Sequence, residues 1–477
     1  MKLAMRKMLC FACVLCLCFT LAVPTWAADG NPLAGAGSMG TSGTVQGTIT
    51  DDNKADYYKY TVAAGSSVEL KIKFTSNLDA VKLQVLDADG DVQDYSYISK
   101  DSDTNQKTEN VTVYLNPGNY YIGIFRDFWS EGNYTMSFTT QLLNNTDTTY
   151  DDTVAIAHQL PLTTKVDGIL SNFCGDKIDI YKLNVTKPGV MKYNFKFYME
   201  DVHFILLDAD GNEIKTWYFG WNDNLKMGTE AFEIPLESGT YYVEVLRDGY
   251  DGKYTFDQSY TDIGSTEKEP NDSLETAQVL PLGQKAIGLI AMGKDTDFYK
   301  ITVPTKRNLT FTVPSKVNSL KLYVYNADGE EVKYAYSDWN DNTKRGTLKE
   351  IYKLPAGTYY VQVDSSYEGT YTLTASTTKA PAQSKITTIK RTKKDWFGNR
   401  SIYLKYNKST NAEGYQIYVA KNSKFTGASK YTSDKRTATV GSFAVGKTYY
   451  VKVCGYSKNS DGEYIYGKFS AVKKVRL

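Results

Sequence analysis

Six oxygen-bearing side chains crowd into two short stretches of this chain. Glu267, Glu269, Asn271 and Asp272 lie within the run EKEPND, and Asp295 and Asp297 follow in DTD. Hard cations take several carboxylate and carbonyl oxygens, so the chemistry open to this set is calcium coordination. The simpler reading is an acidic segment in which Pro270-Asn271-Asp272 forms a turn. A thinner set of the same kind occurs earlier, with Asp147, Asp151 and Asp152 ahead of Asp176 and Asp179. Asp176 and Asp179 stand three apart, Asp295 and Asp297 two apart.

Other apparent sites are weaker. Asp87, Asp89 and Asp91 alternate as in an EF-hand loop, but loop position six is Val92 instead of the required glycine. The run Asp87-Ala88-Asp89-Gly90 reads instead as a hairpin turn, aspartate bonding locally and glycine supplying positive φ. The two histidines, His158 and His203, have no nucleophile motif near them, and no zinc-protease or serine-hydrolase signature is present. The expectation is a protein that is not an enzyme.

Aromatic residues offer recognition chemistry, since tyrosine and tryptophan combine apolar area with a polar tip. The run WNDN occurs at Trp221–Asn224 and again at Trp339–Asn342. The pairs Tyr241-Tyr242 and Tyr359-Tyr360 lie on predicted strands, so one ring of each pair faces away from the core. Trp221, Trp339, Tyr242 and Tyr360 are the candidate ligand-binding residues. Core and edge packing is the competing reading for the tyrosines.

These residues recur because the chain repeats. An offset of 118 pairs Ala209-Asp210-Gly211 with Ala327-Asp328-Gly329 and Gly239–Val243 with Gly357–Val361. An offset of 121 brings Leu86–Gly90 under Leu207–Gly211 and Gly118–Tyr121 under Gly239–Tyr242. The copies open similarly: ADYYKYTV from Ala55, IDIYKLNV from Ile178 and TDFYKITV from Thr296. Within a copy the apolar period is two, as at Val68, Leu70, Ile72 and Phe74, and turn signals such as NPG and PAG divide the runs. Many short strands with regular turns predict an all-β fold of tandem antiparallel β-sandwiches.

The order Glu269-Pro270-Asn271-Asp272, Thr276-Ala277, Asp295-Thr296-Asp297-Phe298-Tyr299, Gly357-Thr358-Tyr359-Tyr360 resembles the bacterial pre-peptidase C-terminal domain. That family is similar to the collagen-binding domains of clostridial collagenases. The resemblance implies jelly-roll-like sandwiches on a secreted bacterial protein. It also implies that arm and turn coordinate calcium together, although those relatives tend to space the turn aspartates three apart. The copies are expected at residues 44–140, 141–260 and 261–376.

After a polar linker with proline, residues 377–384, the strands SIYLKY, GYQIYVA and KTYYVKVCGY resemble a fibronectin type III domain, an immunoglobulin-like sandwich, over residues 385–477. Tyr406 stands where a core tryptophan often sits. This tail holds 20 basic and 5 acidic residues although the whole chain is only +1, so the preceding domains are acidic. Lys390, Arg391, Lys393 and Lys394 cluster, as do Lys473, Lys474 and Arg476. An anionic wall polymer would suit them, and so would plain solvation. Nucleic acid is not expected.

Residues 1–27 read as a secretory signal: Lys2, Arg6 and Lys7, the apolar run Met8–Val23, then small residues before Ala27. Residues 28–43 read as a linker. No later run is long enough to span a membrane. Four of six cysteines lie in the signal, so Cys174 and Cys454 are expected as separate buried thiols. The reading is an extracellular binding or adhesion protein whose repeated modules recognise a glycan or a fibrous protein. A ligand-free wall spacer and an accessory to a separately encoded protease are the alternatives.

Overall fold

The computed structural model describes residues 32–99, 106–146, 152–292 and 295–477. The chain divides into two compact units, residues 1–261 and 262–477. Within them, strands with period-two burial stack as pairs of sheets. In Ala55–Val62, for example, Asp56, Tyr58, Tyr60 and Val62 point inward and the residues between them do not. The expected tandem antiparallel sandwiches are observed.

The first unit holds two sandwiches of one design. In the first, a five-stranded sheet runs Gly37–Ser38, Ala55–Val62, Gly118–Arg126, Ala80–Leu86, Val92–Ser99. It faces a four-stranded sheet of Ser42–Ile49, Gly132–Leu143, Ser67–Ser76 and Lys107–Leu115. The second repeats that order from His158–Gln159 through Ile178–Val185, Gly239–Arg247, Val202–Leu207 and Glu213–Phe219. Its turn at Asn172–Cys174 places Phe173 and Cys174 in the core of the first sandwich. Asn116 Nδ2 of the first donates to Asp176 Oδ2 of the second at 2.6 Å, and Lys253 pairs with the buried Glu69 at 3.0 Å. A packed interface joins the two copies.

The second unit begins with a third sandwich in the same order: Gln278–Val279, Thr296–Val303, Gly357–Asp364, Lys321–Tyr325, Glu331–Tyr336. Its partner sheet gains a fifth strand, Asp338–Asn340. The tail forms a three-stranded sheet of Ile386–Arg391, Arg400–Tyr406 and Thr437–Phe443. Opposite lie Ser429–Ser433, Gly414–Ala420 and Thr448–Lys458, which also pairs with Tyr464–Tyr466 and Lys473–Arg476. Tyr406 fills the core, its ring centroid 4.5 Å from that of Tyr415 and its hydroxyl donating to Lys435 O at 2.9 Å.

Two segments read as linkers are structural. In residues 28–43, Gly37–Ser38 pairs in parallel with Tyr58 and Lys59, as His158–Gln159 and Gln278–Val279 do with their own strands. Leu33 packs on the hairpin glycine Gly90, as Val154 does on Gly211 and Leu274 on Gly329. The first copy therefore has a lead-in without the acidic residues that mark the third. In residues 377–384, Pro381 packs against Gly455 and Gly467, Ala382 N donates to Thr410 O, and Ser384 is buried. That stretch is seated on the tail. Cys174 and Cys454 are free and buried, burial pushing their thiols up to about 12 and about 11.

Candidate functional site

Each sandwich holds a polar triad inside its apolar core. Tyr134 donates to Asp56 at 2.6 Å, and its hydroxyl lies 2.6 Å from that of Tyr58. Tyr254 donates to Asp179 beside Tyr181, and Tyr371 donates to Asp297 at 2.6 Å beside Tyr299. A glycine on the neighbouring strand makes the room. A Cβ at Gly168 would come within 2.3 Å of the Tyr254 ring, and one at Gly47 within 2.4 Å of Tyr134. Burial first, then the adjacent carboxylate and tyrosine, raise the pKa of Tyr254 well above its ordinary value. The signal in the sequence was Asp-x-Tyr followed far downstream by Gly-x-Tyr, spacings that carry no chemistry until the strands pair.

In the third sandwich the triad becomes the floor of the acidic cluster. Glu267 accepts from Tyr299 at 2.6 Å, Tyr371 at 3.0 Å and Asn271 Nδ2 at 3.1 Å. The arm that carries it is anchored by Thr266, which bonds both backbone groups of Ile287. Glu269, Asp295 and Asp297 bring carboxylate oxygens within 4.8 Å of one another. Asp295 and Asp297 meet because a separation of two puts them on one side of the extended chain. Asn271 and Asp297 are fully buried, and Asn271 Oδ1 and Asp297 Oδ1 have no hydrogen-bond partner. Asp272 is exposed beside them.

The electrostatics of the cluster are unbalanced. Among the described residues, none of these five carboxylates is in an ion pair. Burial, and then the charge of Glu267, pushes Glu269 up to about 7 and Asp295 up to about 6, against backbone bonds that pull the other way. Asp297 is raised further, by burial and then by Glu267 and Asp295. Orphaned buried oxygens among mutually repelling carboxylates fit a hard divalent cation.

The other copies differ. In the first, Asn53 Nδ2 donates to Asp56 Oδ1 at 3.0 Å, so both carboxylate oxygens of Asp56 are bonded. In the second, Asp179 points to Tyr254 while Asp176 turns to Asn116, and Lys177 stands two before Asp179. Asp152 is exposed, and Asp147 and Asp151 lie outside the described residues. The first two sandwiches also carry cations here: Arg126 pairs with Asp51 at 2.5 Å and Arg247 with Asp251 at 3.0 Å. The aligned residue of the third copy is Ser365.

The aromatic candidates separate. Tyr242 is only 7% exposed, in a cluster with Ile180, Ile205 and Leu207 against which the lead-in residues Val154 and Ala157 pack, so it offers no open face. Tyr360 is half-buried on the outer face of its five-stranded sheet, opposite Tyr325 and under Lys300. Trp339 lies at the edge of the other sheet, paired with Gly346. Both WNDN runs are self-contained turns. Each indole N–H donates to the aspartate two residues on, Trp221 to Asp223 and Trp339 to Asp341, and Lys226 or Lys344 takes positive φ to close the loop. Lys226 also lies 4.9 Å from the Trp221 ring.

Around Tyr360 a broader aromatic face emerges from LYVY and YAY, two period-two runs that sequence reasoning missed. Tyr323 and Tyr325 stack at 6.3 Å, Phe298 lies 6.2 Å from Tyr325, and Tyr334 and Tyr336 are each 59% exposed. The three hairpins behind such edge strands are alike. Asp87, Asp208 and Asn326 each accept two backbone N–H groups through the side chain, and Gly90, Gly211 and Gly329 have φ of 80 to 92°. They are turns, as expected.

Comparison with known proteins places two of these sandwiches. A family model described as the bacterial pre-peptidase C-terminal domain matches residues 54–126 and 295–365, in the first and third sandwiches. The second shares their strand order, lead-in strand and triad. Collagenase ColA of Clostridium perfringens (strain 13 / Type A) is 26% identical across 36% of this chain and 17% of that protein, so the chain spans only a small part of the relative. The pre-peptidase C-terminal domain of a collagenase from Bacillus anthracis shares 22% identity over 23% of this chain and 99% of its own, with a TM-score of 0.18. The glycoside hydrolase domain of Endo-D from Streptococcus pneumoniae R6 shares 15% over 40% of this chain and 33% of its own, with a TM-score of 0.19.

Proposed function

We propose that this chain is a non-catalytic extracellular binding protein whose third sandwich holds calcium and grips a fibrous protein with its outer aromatic face. The observation that carries this reading is the open row of Tyr323, Tyr325, Tyr334, Tyr336 and Tyr360. Tyrosine on a flat sheet gives rigid apolar contact with hydroxyls at its margin, which suits a rod more than a small ligand. A collagenase among the relatives points to a fibrous protein ahead of a glycan. The second sandwich seals the corresponding face with Val154 and Ala157, which takes that copy out of the recognition surface. The packing of a three-stranded sheet against a five-stranded one supports a fibronectin type III-like tail.

Calcium in this reading neutralises Glu269, Asp295 and Asp297 and ties the Glu267–Asp272 arm to the sheet. The test is binding of the full chain to collagen fibrils and to insoluble glycans, beside a Tyr334→Ala/Tyr336→Ala variant. Binding to fibrils that falls about tenfold or more in the variant supports the reading. Unchanged binding removes the face from recognition, and retention on glycan alone moves the ligand to that class.

A further inference from the structure

The tail carries a second, unrelated surface. Its first two strands, Ile386–Arg391 and Arg400–Tyr406, are joined by a hairpin whose tip is Trp396-Phe397. Trp396 is 97% exposed, the highest value of any large apolar side chain among the described residues, and Phe397 is 85% exposed. Among those residues neither ring stacks on another ring or on a cation. The tip is nonetheless held in shape. Asp395 N donates to Asn399 O at 2.7 Å and Gly398 N to Asp395 O at 3.0 Å, with Gly398 at φ 75°. Asp395 Oδ1 accepts from Asn399 N at 2.8 Å, and Oδ2 accepts from Ser442 Oγ at 2.6 Å. The stem is extended by Thr392 N donating to Ser401 O at 2.9 Å, and Arg400 donates to Thr392 O at 3.0 Å.

Cations surround the tip. Lys390, Arg391, Lys393 and Lys394 are all exposed, and among the described residues none of the four is in an ion pair. Asp395 is the one carboxylate between Lys390 and Arg400, and the turn consumes it. We infer that this hairpin docks on an anionic phospholipid surface, Trp396 and Phe397 entering the headgroup boundary while the four cations engage lipid phosphates. Both halves of the feature are needed by that partner. Trp and Phe favour the interface between headgroups and acyl chains, and clustered Lys and Arg are attracted by anionic lipid. An anionic polymer would use the cations but has no apolar layer to receive two uncovered rings. The surface is independent of the aromatic face of the third sandwich, so either reading survives failure of the other.

The test is co-sedimentation of the full chain with vesicles of phosphatidylcholine alone or mixed with phosphatidylglycerol. Binding should require phosphatidylglycerol and weaken with salt. Trp396→Ser/Phe397→Ser should lower the partition about tenfold, and Lys393→Gln/Lys394→Gln about fivefold for each cation removed. Wild type should show a vesicle-induced blue shift in tryptophan emission that Trp396→Phe lacks. Neither pair of side chains packs in the core, so melting curves of both variants should match wild type. No vesicle binding overturns the inference. So does binding that the serine variant retains in full, or tight retention on dextran sulfate that depends on the lysines alone, which would assign the patch to an anionic polymer.

Discussion

At Asp297 a fully buried carboxylate keeps one oxygen on Tyr371 and leaves the other without a partner, with Asp295 and Glu269 close by. Three raised carboxylates mean that the folded sandwich binds more protons than the unfolded chain between about pH 4 and about pH 7. Without calcium, its stability therefore falls as pH rises through that window. The calcium proposed for this site should reverse the trend, because coordination requires the deprotonated set. Calorimetry of the full chain should show the third sandwich melting higher with calcium than with chelator at pH 7.5, and the gap should close by pH 5. Asp297→Asn should raise the chelator-treated melting temperature at pH 7.5, by relieving repulsion, and should abolish the calcium response. A melting curve indifferent to chelation at pH 7.5 would sink the metal assignment. Trp339→Ala is expected to cost less than about 1 kcal/mol by the same method, because its indole closes only an exposed turn.

The strand pairs set what those residues can do. Asp-x-Tyr strands and Gly-x-Tyr strands belong to different sheets of each sandwich, and their side chains meet only across the core. Replacing Tyr254 with Phe removes the Tyr254 hydrogen bond to the buried Asp179 carboxylate, a loss of about 1–3 kcal/mol. Gly168→Ala pushes a methyl group against the Tyr254 ring and should cost a similar amount, about 1–3 kcal/mol, through overpacking. Urea titration of each variant measures both. A Gly168→Ala protein as stable as wild type would mean the ring shifts freely, contrary to its complete burial. The strands themselves were legible from period-two patterning and turn residues, because each depends on neighbours within a few positions. The triads were not, since the Gly-x-Tyr member of each lies more than seventy residues from its Asp-x-Tyr pair.

On the scale of the whole molecule, the copies are used unequally. The first two share an interface in which Phe173 completes a foreign core. The third is tied to the tail within its own unit. Ser460 N donates to Ile351 O at 2.8 Å and Ile351 N donates to Ser460 Oγ at 2.8 Å, while Lys353 reaches Glu463 at 3.1 Å and Lys333 pairs with Asp461. Exposed pairs of this kind contribute about 0.2–1 kcal/mol each. Asp461→Lys/Glu463→Lys should therefore lower the melting temperature of the third sandwich by the equivalent of at most about 2 kcal/mol, an effect that high salt in wild type should partly reproduce. No change in the variant would show the contact to be carried by the two Ser460–Ile351 bonds alone.

The sequence by itself determined the all-β class, the threefold repeat, the basic tail and the turns, because these depend on composition, period and local spacing. The segment read as a signal lies outside the described residues. Only the tertiary structure decided which repeats pair their acids with arginine and which leave buried oxygens open. It alone placed Tyr242 under a lead-in and gathered five tyrosines on one open face. It also showed WNDN to be a turn closed by its own indole. The reason is physical: burial and charge balance are properties of what the chain brings together from afar, and no local window contains them.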